Sequence, residues 1–228
     1  MTALIDMRQV TKTYTRGSET LTVLDQLDLQ VEQKEFVALM GPSGSGKSTI
    51  LNLVGGLDTV DSGEIEVAGQ RLSSLSSSAL ARWRSTHIGF VFQSFNLVPV
   101  LTAHENVMLP LLLTPLGRKE REEQANFALE VVGLTDRRTH RPRQLSGGQE
   151  QRVAIARAIA TDPDIILADE PTGDLDRDSA SAIMDLLDRL NEEMGKTFVV
   201  VTHDTMVGDR ARRTLHLDKG VVQESQNS

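Results

Sequence analysis

The nine residues Gly41-Pro42-Ser43-Gly44-Ser45-Gly46-Lys47-Ser48-Thr49 constrain this chain more than any others. They lie between a short apolar run at 36–40, suited to a buried strand, and a stretch at 47–57 with helical periodicity. A strand running through a glycine-rich loop straight into a helix calls for an α/β core. It also calls for an anion, because the glycines let backbone N–H groups point at phosphate oxygens and the helix N-terminus adds a favourable dipole. Gly41, Gly46, Lys47 and Ser48 satisfy G-x-x-x-x-G-K-[ST] in the context that gives the pattern meaning. In such a cradle Lys47 reaches the outer phosphates and Ser48 offers a hydroxyl to Mg²⁺.

The remaining pattern predicts strands at 4–10, 21–29, 64–67 and 88–92, with a serine-rich loop at 73–78 leading into a short helix. Between 102 and 160 the periodicity is helical: Thr102 caps one segment, 118–132 forms a charged amphipathic helix, and Ser146 opens another. Apolar runs at 165–169 and 197–201 read as strands buried on both faces of a parallel sheet. The expected architecture is a mostly parallel α/β core with an antiparallel β subdomain and an inserted helical subdomain. Residues 1–94 and 161–228 form the core and 95–160 the helical insert, within one nucleotide-binding domain.

Further candidates follow from where the strands end. Asp169 closes the strand at 165–169, where a carboxylate opposite the cradle can hold Mg²⁺ or its waters, and Glu170 follows at a position suited to orient or deprotonate water. A bare Asp-Glu pair is otherwise an ordinary loop start. His203 comes directly after the strand at 197–201 and is either a γ-phosphate contact at that sheet edge or a structural histidine. Gln93 occupies the equivalent place after 88–92, where a glutamine need mean nothing. Tyr14, the single tyrosine, falls in an expected loop between two early strands and either stacks on a base or is partly buried. A second glycine turn, Leu145-Ser146-Gly147-Gly148-Gln149, opens a helix in a chain that already has one cradle. That redundancy suggests a site shared between two molecules.

Bulk properties narrow the class. At 228 residues the chain can bury a sizeable core, and with no cysteine it needs no oxidising compartment. Met1-Thr2-Ala3-Leu4-Ile5-Asp6 lacks the basic and apolar regions of an export signal. The longest apolar tract, 107–113, is broken by Pro110 and far too short to span a bilayer. A net charge of −8 disfavours broad binding to nucleic acid or anionic lipid.

Taken together these motifs resemble the nucleotide-binding subunit of an ATP-binding cassette (ABC) transporter, across essentially the whole chain. The resemblance implies a P-loop NTPase core that binds ATP and Mg²⁺ and hydrolyses the nucleotide. It makes residues 41–49 the Walker A loop, Tyr14 the adenine-stacking aromatic and Gln93 the Q-loop residue that touches Mg²⁺. Asp169 and Glu170 become the Walker B pair, His203 the switch histidine, and 145–149 the family signature. Asp176, in Gly173-Asp174-Leu175-Asp176, matches the D-loop, where Asp174 departs from the more usual neutral residue. The implied assembly is a head-to-tail homodimer with each ATP between Walker A of one copy and Ser146-Gly147-Gly148 of the other, Gln149 completing the signature.

One branch is matched in particular, through Gly55-Gly56-Leu57-Asp58, Gly89-Phe90-Val91-Phe92-Gln93, Glu105-Asn106-Val107 and Glu170-Pro171-Thr172-Gly173. These are similar to lipoprotein-release, macrolide-export and cell-division cassettes. The expectation is a cytoplasmic subunit, peripheral on the inner face of the membrane through a separate permease, which meets Phe95, Leu97, Val98 and Leu101. Filling the helical subdomain's own core is the other use open to those four. Powering an exporter or lipoprotein-release system is the leading function, with a cell-division or envelope-signalling ATPase that moves no substrate as the alternative. Soluble cassettes of DNA repair or translation are disfavoured by the compact insert and the acidic charge.

Overall fold

The structure is a computed structural model that describes residues 3–17, 19–218 and 220–224. In chain order its elements are β1 (Ile5–Arg16), β2 (Glu19–Val31), β3 (Phe36–Met40), α1 (Lys47–Val54), β4 (Ser62–Val67), β5 (Gln70–Arg71), α2 (Ser77–His87), β6 (Ile88–Phe92), α3 (Ala103–Leu111), α4 (Arg118–Val131), α5 (Gly147–Ile159), β7 (Ile165–Asp169), α6 (Arg177–Glu192), β8 (Thr197–Thr202), α7 (Thr205–Arg210), β9 (Arg213–Asp218) and β10 (Val221–Glu224). The chain divides into two compact units, 1–84 with 197–228, and 85–196.

The first unit holds an antiparallel sheet ordered β2-β1-β4-β5 and a second run of strands ordered β10-β9-β3-β8. In the latter, β3 is parallel to both β8 and β9, and β10 closes a hairpin on β9. β3 and β8 are buried almost throughout, which is why their sequences are continuous apolar runs without alternation. Phe36 and Phe198, paired in register, stack with ring centroids 5.2 Å apart. Residues 225–228, the end of the expected hairpin tail, lie outside the described residues.

β1 and β2 run well beyond their predicted bounds, and this corrects one expectation. Tyr14 is not in a loop: it lies within β1, opposite Leu21 of β2. The strand was hard to read because its register shifts between Met7 and Val10 and again between Val10 and Lys12, with Gln9 at φ 49. Each shift moves side chains to the other face, so strict alternation fails.

The second unit contains the parallel pair β6 and β7 together with α3 to α6. Thr102 caps α3 through a reciprocal capping box with Glu105. α4 carries its charges as Arg118–Glu122 and Lys119–Glu123 pairs on an exposed face. α5 packs on β6 and α3, and Asn106 of α3 is fully buried. Among the described residues, no helix is long and apolar enough to cross a membrane.

Candidate active site

Each compact unit contributes its own set of candidate residues. In the first, the loop after β3 turns where side chains would not fit: a Cβ on Gly41 would lie 2.2 Å from the Leu217 carbonyl oxygen. Gly46 then caps α1 from the left-handed region, φ 106, where only glycine is comfortable. Because that cap residue has no side chain, none satisfies the first N–H groups of α1, those of Lys47, Ser48 and Thr49. Lys47 is buried, and its Nζ donates to the carbonyls of Gly41 at 2.7 Å and Pro42 at 3.0 Å. Two of its three protons thus fix the ammonium against its own loop, and one is left for a ligand. Ser45 is buried with its hydroxyl making no hydrogen bond among the described residues. Pro42, Ser43, Gly44 and Ser48 are exposed and Thr49 is half-buried. A helix end without a side-chain cap, a tethered cation and an orphaned hydroxyl fit a polyphosphate.

Tyr14 and His203 belong to the same unit. Met40 pairs with Thr202 in the parallel β3–β8 ladder, so the glycine loop and His203 leave adjacent strands at one sheet edge. His203 is exposed, and Asp204 beside it caps α7 by accepting from the Met206 N–H at 2.9 Å. Tyr14 is 41% exposed and therefore open to stacking, yet its hydroxyl is held, donating to Asp58 Oδ2 at 2.8 Å. Lys12 Nζ donates to Asp58 Oδ1 at 2.8 Å and sits 5.1 Å from the Tyr14 ring centroid. Burial, then the bond to Asp58, raises the Tyr14 pKa; burial would raise that of Asp58, but Lys12 and Tyr14 hold it below its usual range. Nothing in the spacing of Lys12 and Asp58 announced this brace.

In the second unit Phe92 and Asp169 are register partners in the parallel pair β6–β7, so Gln93 and Glu170 emerge side by side at the C-terminal edge. Asp169 and Glu170 are half-buried. Glu170 has φ 48, a left-handed conformation that a β-carbon makes costly and that clusters at functional sites. Gln93 Nε2 donates to Asp174 Oδ1 at 2.6 Å, while its side chain lies across Gly173. Its amide nitrogen is committed, so its oxygen is the atom left for a cation.

The signature turn sits at the start of α5. Ser146 is its N-cap: the Gln149 N–H donates to Ser146 Oγ at 3.3 Å, and the Ser146 N–H donates to Gln149 Oε1 at 3.0 Å. Ser146 and Gly147 are exposed; Gly148 lies close against Ser179 of α6, which Asp176 caps. The Ser179 backbone N–H and hydroxyl bind the Asp176 carboxylate at 2.9 and 2.8 Å and lower its pKa. Signature, D-loop candidate and Gln93 thus share one unit. Sequence reasoning missed the residue that ties their supports together: Gln151 of α5, fully buried, donates to the carbonyls of Phe92 and Pro171. A polar residue on the inward face of a helix was its signal.

The model of the family described as ABC transporter matches residues 24–173. The chain is 51% identical to the uncharacterized ABC transporter ATP-binding protein YknY of Bacillus subtilis, over 96% of this chain and 95% of that protein. It is 43% identical to the lipoprotein-releasing system ATP-binding protein LolD of Idiomarina loihiensis, over 98% of both. A solved dimeric structure of the ATP-binding cassette MJ0796 in a post-hydrolysis state with ADP and Pi superposes with a TM-score of 0.88 at 47% identity, covering 97% of each chain. These matches and the strand-loop-helix cradle agree: the chain belongs to the ABC transporter family, as an ATP-binding cassette that hydrolyses ATP.

Proposed function

We propose that this chain is the ATPase subunit of an exporter or lipoprotein-release type system, acting as a homodimer on a separate integral membrane permease. The observation that carries this reading is the pair of glycine-rich helix starts. One, at α1, leaves its N–H groups without a side-chain cap beside a tethered lysine; the other, at α5, is exposed and belongs to the other compact unit. Two copies arranged head to tail give each ATP one of each kind. The dimeric form of the MJ0796 cassette with ADP and Pi supports that arrangement, and LolD supports the lipoprotein-release branch.

In this reading residues 41–49 hold the phosphates, with Lys47 on the outer ones, and Tyr14 stacks on the adenine. Glu170 accepts a proton as water attacks the γ-phosphorus; the bond from phosphorus to the bridging oxygen breaks, and ADP leaves with that electron pair. His203 donates to the γ-phosphate from the sheet edge it shares with the glycine loop. Ser146, Gly147, Gly148 and Gln149 of the second copy close the site, and Asp176 crosses the same interface. Ser48, Gln93 and Asp169 offer a hydroxyl, an amide oxygen and a carboxylate, a donor set suited to Mg²⁺ alongside phosphate oxygens. Bound there, the ion would neutralise charge on the β- and γ-phosphates.

Residues 1–94 and 161–228 then act as the catalytic core and 95–160 as the helical part that meets the permease. Val98 is 37% exposed and Phe95, Leu97 and Leu101 are half-buried, which supports a contact surface rather than a core for these four. The subunit resides in the cytoplasm, held at the inner face of the membrane by the permease, and with a net charge of −8 it takes no nucleic acid. Glu170→Gln tests the shared site. It should bind ATP, lose at least about a hundredfold in kcat, and accumulate as a dimer on size exclusion with ATP. A variant that stays monomeric with ATP bound contradicts the reading.

A further inference from the structure

Arg157 lies in the last turn of α5, half-buried, and that burial lowers its pKa. Among the described residues it makes no ion pair. Both of its hydrogen bonds end on backbone: Nη1 donates to the Asn96 carbonyl at 2.6 Å and Nη2 to the Phe95 carbonyl at 2.8 Å. A half-buried cation whose hydrogen bonds end on neutral carbonyls gives up part of its hydration for no countercharge, so the contact asks for a reason.

The backbone it grips supplies one. Phe95 and Asn96 are consecutive left-handed residues, φ 46 and φ 50, and the Asn96 N–H turns back onto the Ser94 carbonyl. A bulky residue such as Phe95 holds that conformation only where its surroundings force it, and Asn96, which accepts it more readily, still does so less freely than glycine. An arginine's planar fork spans two successive carbonyls in a way that a lysine ammonium does not. The turn sits between two points of interest. Upstream is Gln93, bonded to Asp174; downstream the segment is clamped again, by the buried Asn106, whose amide donates to the carbonyls of Val98, Leu101 and Thr102. The Phe95 ring also reaches the signature turn, its Cζ 3.8 Å from where a Cβ on Gly147 would stand.

We propose that Arg157 is a positioning residue that holds Phe95-Asn96 in their strained turn. It thereby fixes Gln93 and the apolar residues Leu97 and Val98 to the helix whose N-terminus is the signature. A shift of α5 is transmitted to the loop through the two guanidinium bonds. The proposal deepens, and rests on, the reading of 93–101 as the permease-facing loop and of Ser146-Gly147 as the second half of the ATP site.

The test uses the full chain, with amide hydrogen exchange and steady-state ATPase kinetics read together. Arg157→Lys should raise exchange of the 94–98 amides about tenfold while those of α5 stay protected. It should also lower kcat about tenfold with KM for ATP within about twofold. Asn96→Gly, which adopts φ 50 without strain, should return kcat of the lysine variant to within about threefold of wild type. Asn96→Val keeps Arg157 and puts a β-branched residue where it cannot sit; it should loosen the same amides and lower kcat. An unchanged loop in Arg157→Lys, exchange that rises evenly over 85–196, or no recovery by Asn96→Gly overturns the proposal. A wild-type chain that fails to hydrolyse ATP would remove the functional reading instead, and loop exchange would still decide whether the clamp exists.

Discussion

Two helices in this chain begin at glycine-rich turns, and their first residues solve the same problem in opposite ways. At α1 the cap residue is Gly46, which has no side chain to offer, so the helix's first donors are left without a side-chain acceptor. At α5 the cap residue is Ser146, and Ser146 and Gln149 satisfy each other's backbone N–H groups within the turn. The first turn leaves its opening donors without a side-chain acceptor; the second ties down the Ser146 and Gln149 N–H groups itself, keeps those of Gly147 and Gly148 open, and can fold before a ligand arrives. In the proposed function this second turn meets a phosphate carried by another copy, and it then needs that independence, since it is exposed whenever the partner is away.

The comparison breaks hardest at the first turn. Lys47→Ala removes the ammonium tethered to the loop, which the proposed function places on the outer phosphates, and kcat/KM for ATP should fall by at least about a hundredfold. Retained turnover would take the glycine loop out of the mechanism. Paired glycine substitutions sharpen the contrast. Gly46→Ala forces a β-carbon into φ 106 and to 2.9 Å from Leu24 Cδ2, and it should cost about 2 kcal/mol or more in denaturant unfolding. Gly147→Ala meets nothing nearer than Leu175 Cδ2 at 3.5 Å, so stability should stay within about 0.5 kcal/mol. Its effect should appear in ATP-driven dimerisation, weakened about tenfold in sedimentation. Equal losses of stability in the two variants would erase the distinction between the turns.

The same pair shows what could be read from the residues. The strand at 36–40, the loop and α1 were legible because a fully buried strand, a glycine pattern and a helical period are each local signals. α1 ends at Val54 rather than at the predicted 57 because Gly55 and Gly56 stop it. Thr102 and Ser146 were readable as caps for the same reason: the signal lies within three residues. What escaped was anything set by distant partners. Tyr14 was misplaced because β1 changes register along its length. Gln151 and Arg157 are polar residues inside helical patterns, and their use is fixed by backbone carbonyls far away in sequence. The Gln93–Asp174 bond joins residues 81 positions apart, and no periodicity carries such a pairing.

A smaller perturbation probes the self-capped turn directly. Ser146→Ala removes the acceptor for the Gln149 N–H, a bond already long at 3.3 Å, and should cost about 1 kcal/mol, or roughly 2–4 °C in melting midpoint. If the serine hydroxyl also serves the partner's phosphate, dimerisation with ATP falls further than stability does. Proportional losses would reduce Ser146 to a cap.

The smallest expected effect concerns α6, where Asp176 caps the helix with its charge as well as its oxygen atoms. Its pKa is lowered in the folded protein, chiefly by the Ser179 backbone N–H and hydroxyl. A depressed carboxylate stabilises the fold at any pH above its unfolded value, and the contribution is lost as pH falls through the folded value. The relevant window therefore lies below pH 4. Asp176→Asn keeps a good cap residue but cannot titrate, so the melting-midpoint difference between wild type and variant isolates the charge. That difference should be constant from pH 7 to about 5 and shrink as the pH is taken down towards about 3. A difference that does not change over this range means that the carboxylate acts at the helix end only as a hydrogen-bond acceptor, and α6 then resembles α5 in being capped by geometry rather than by charge.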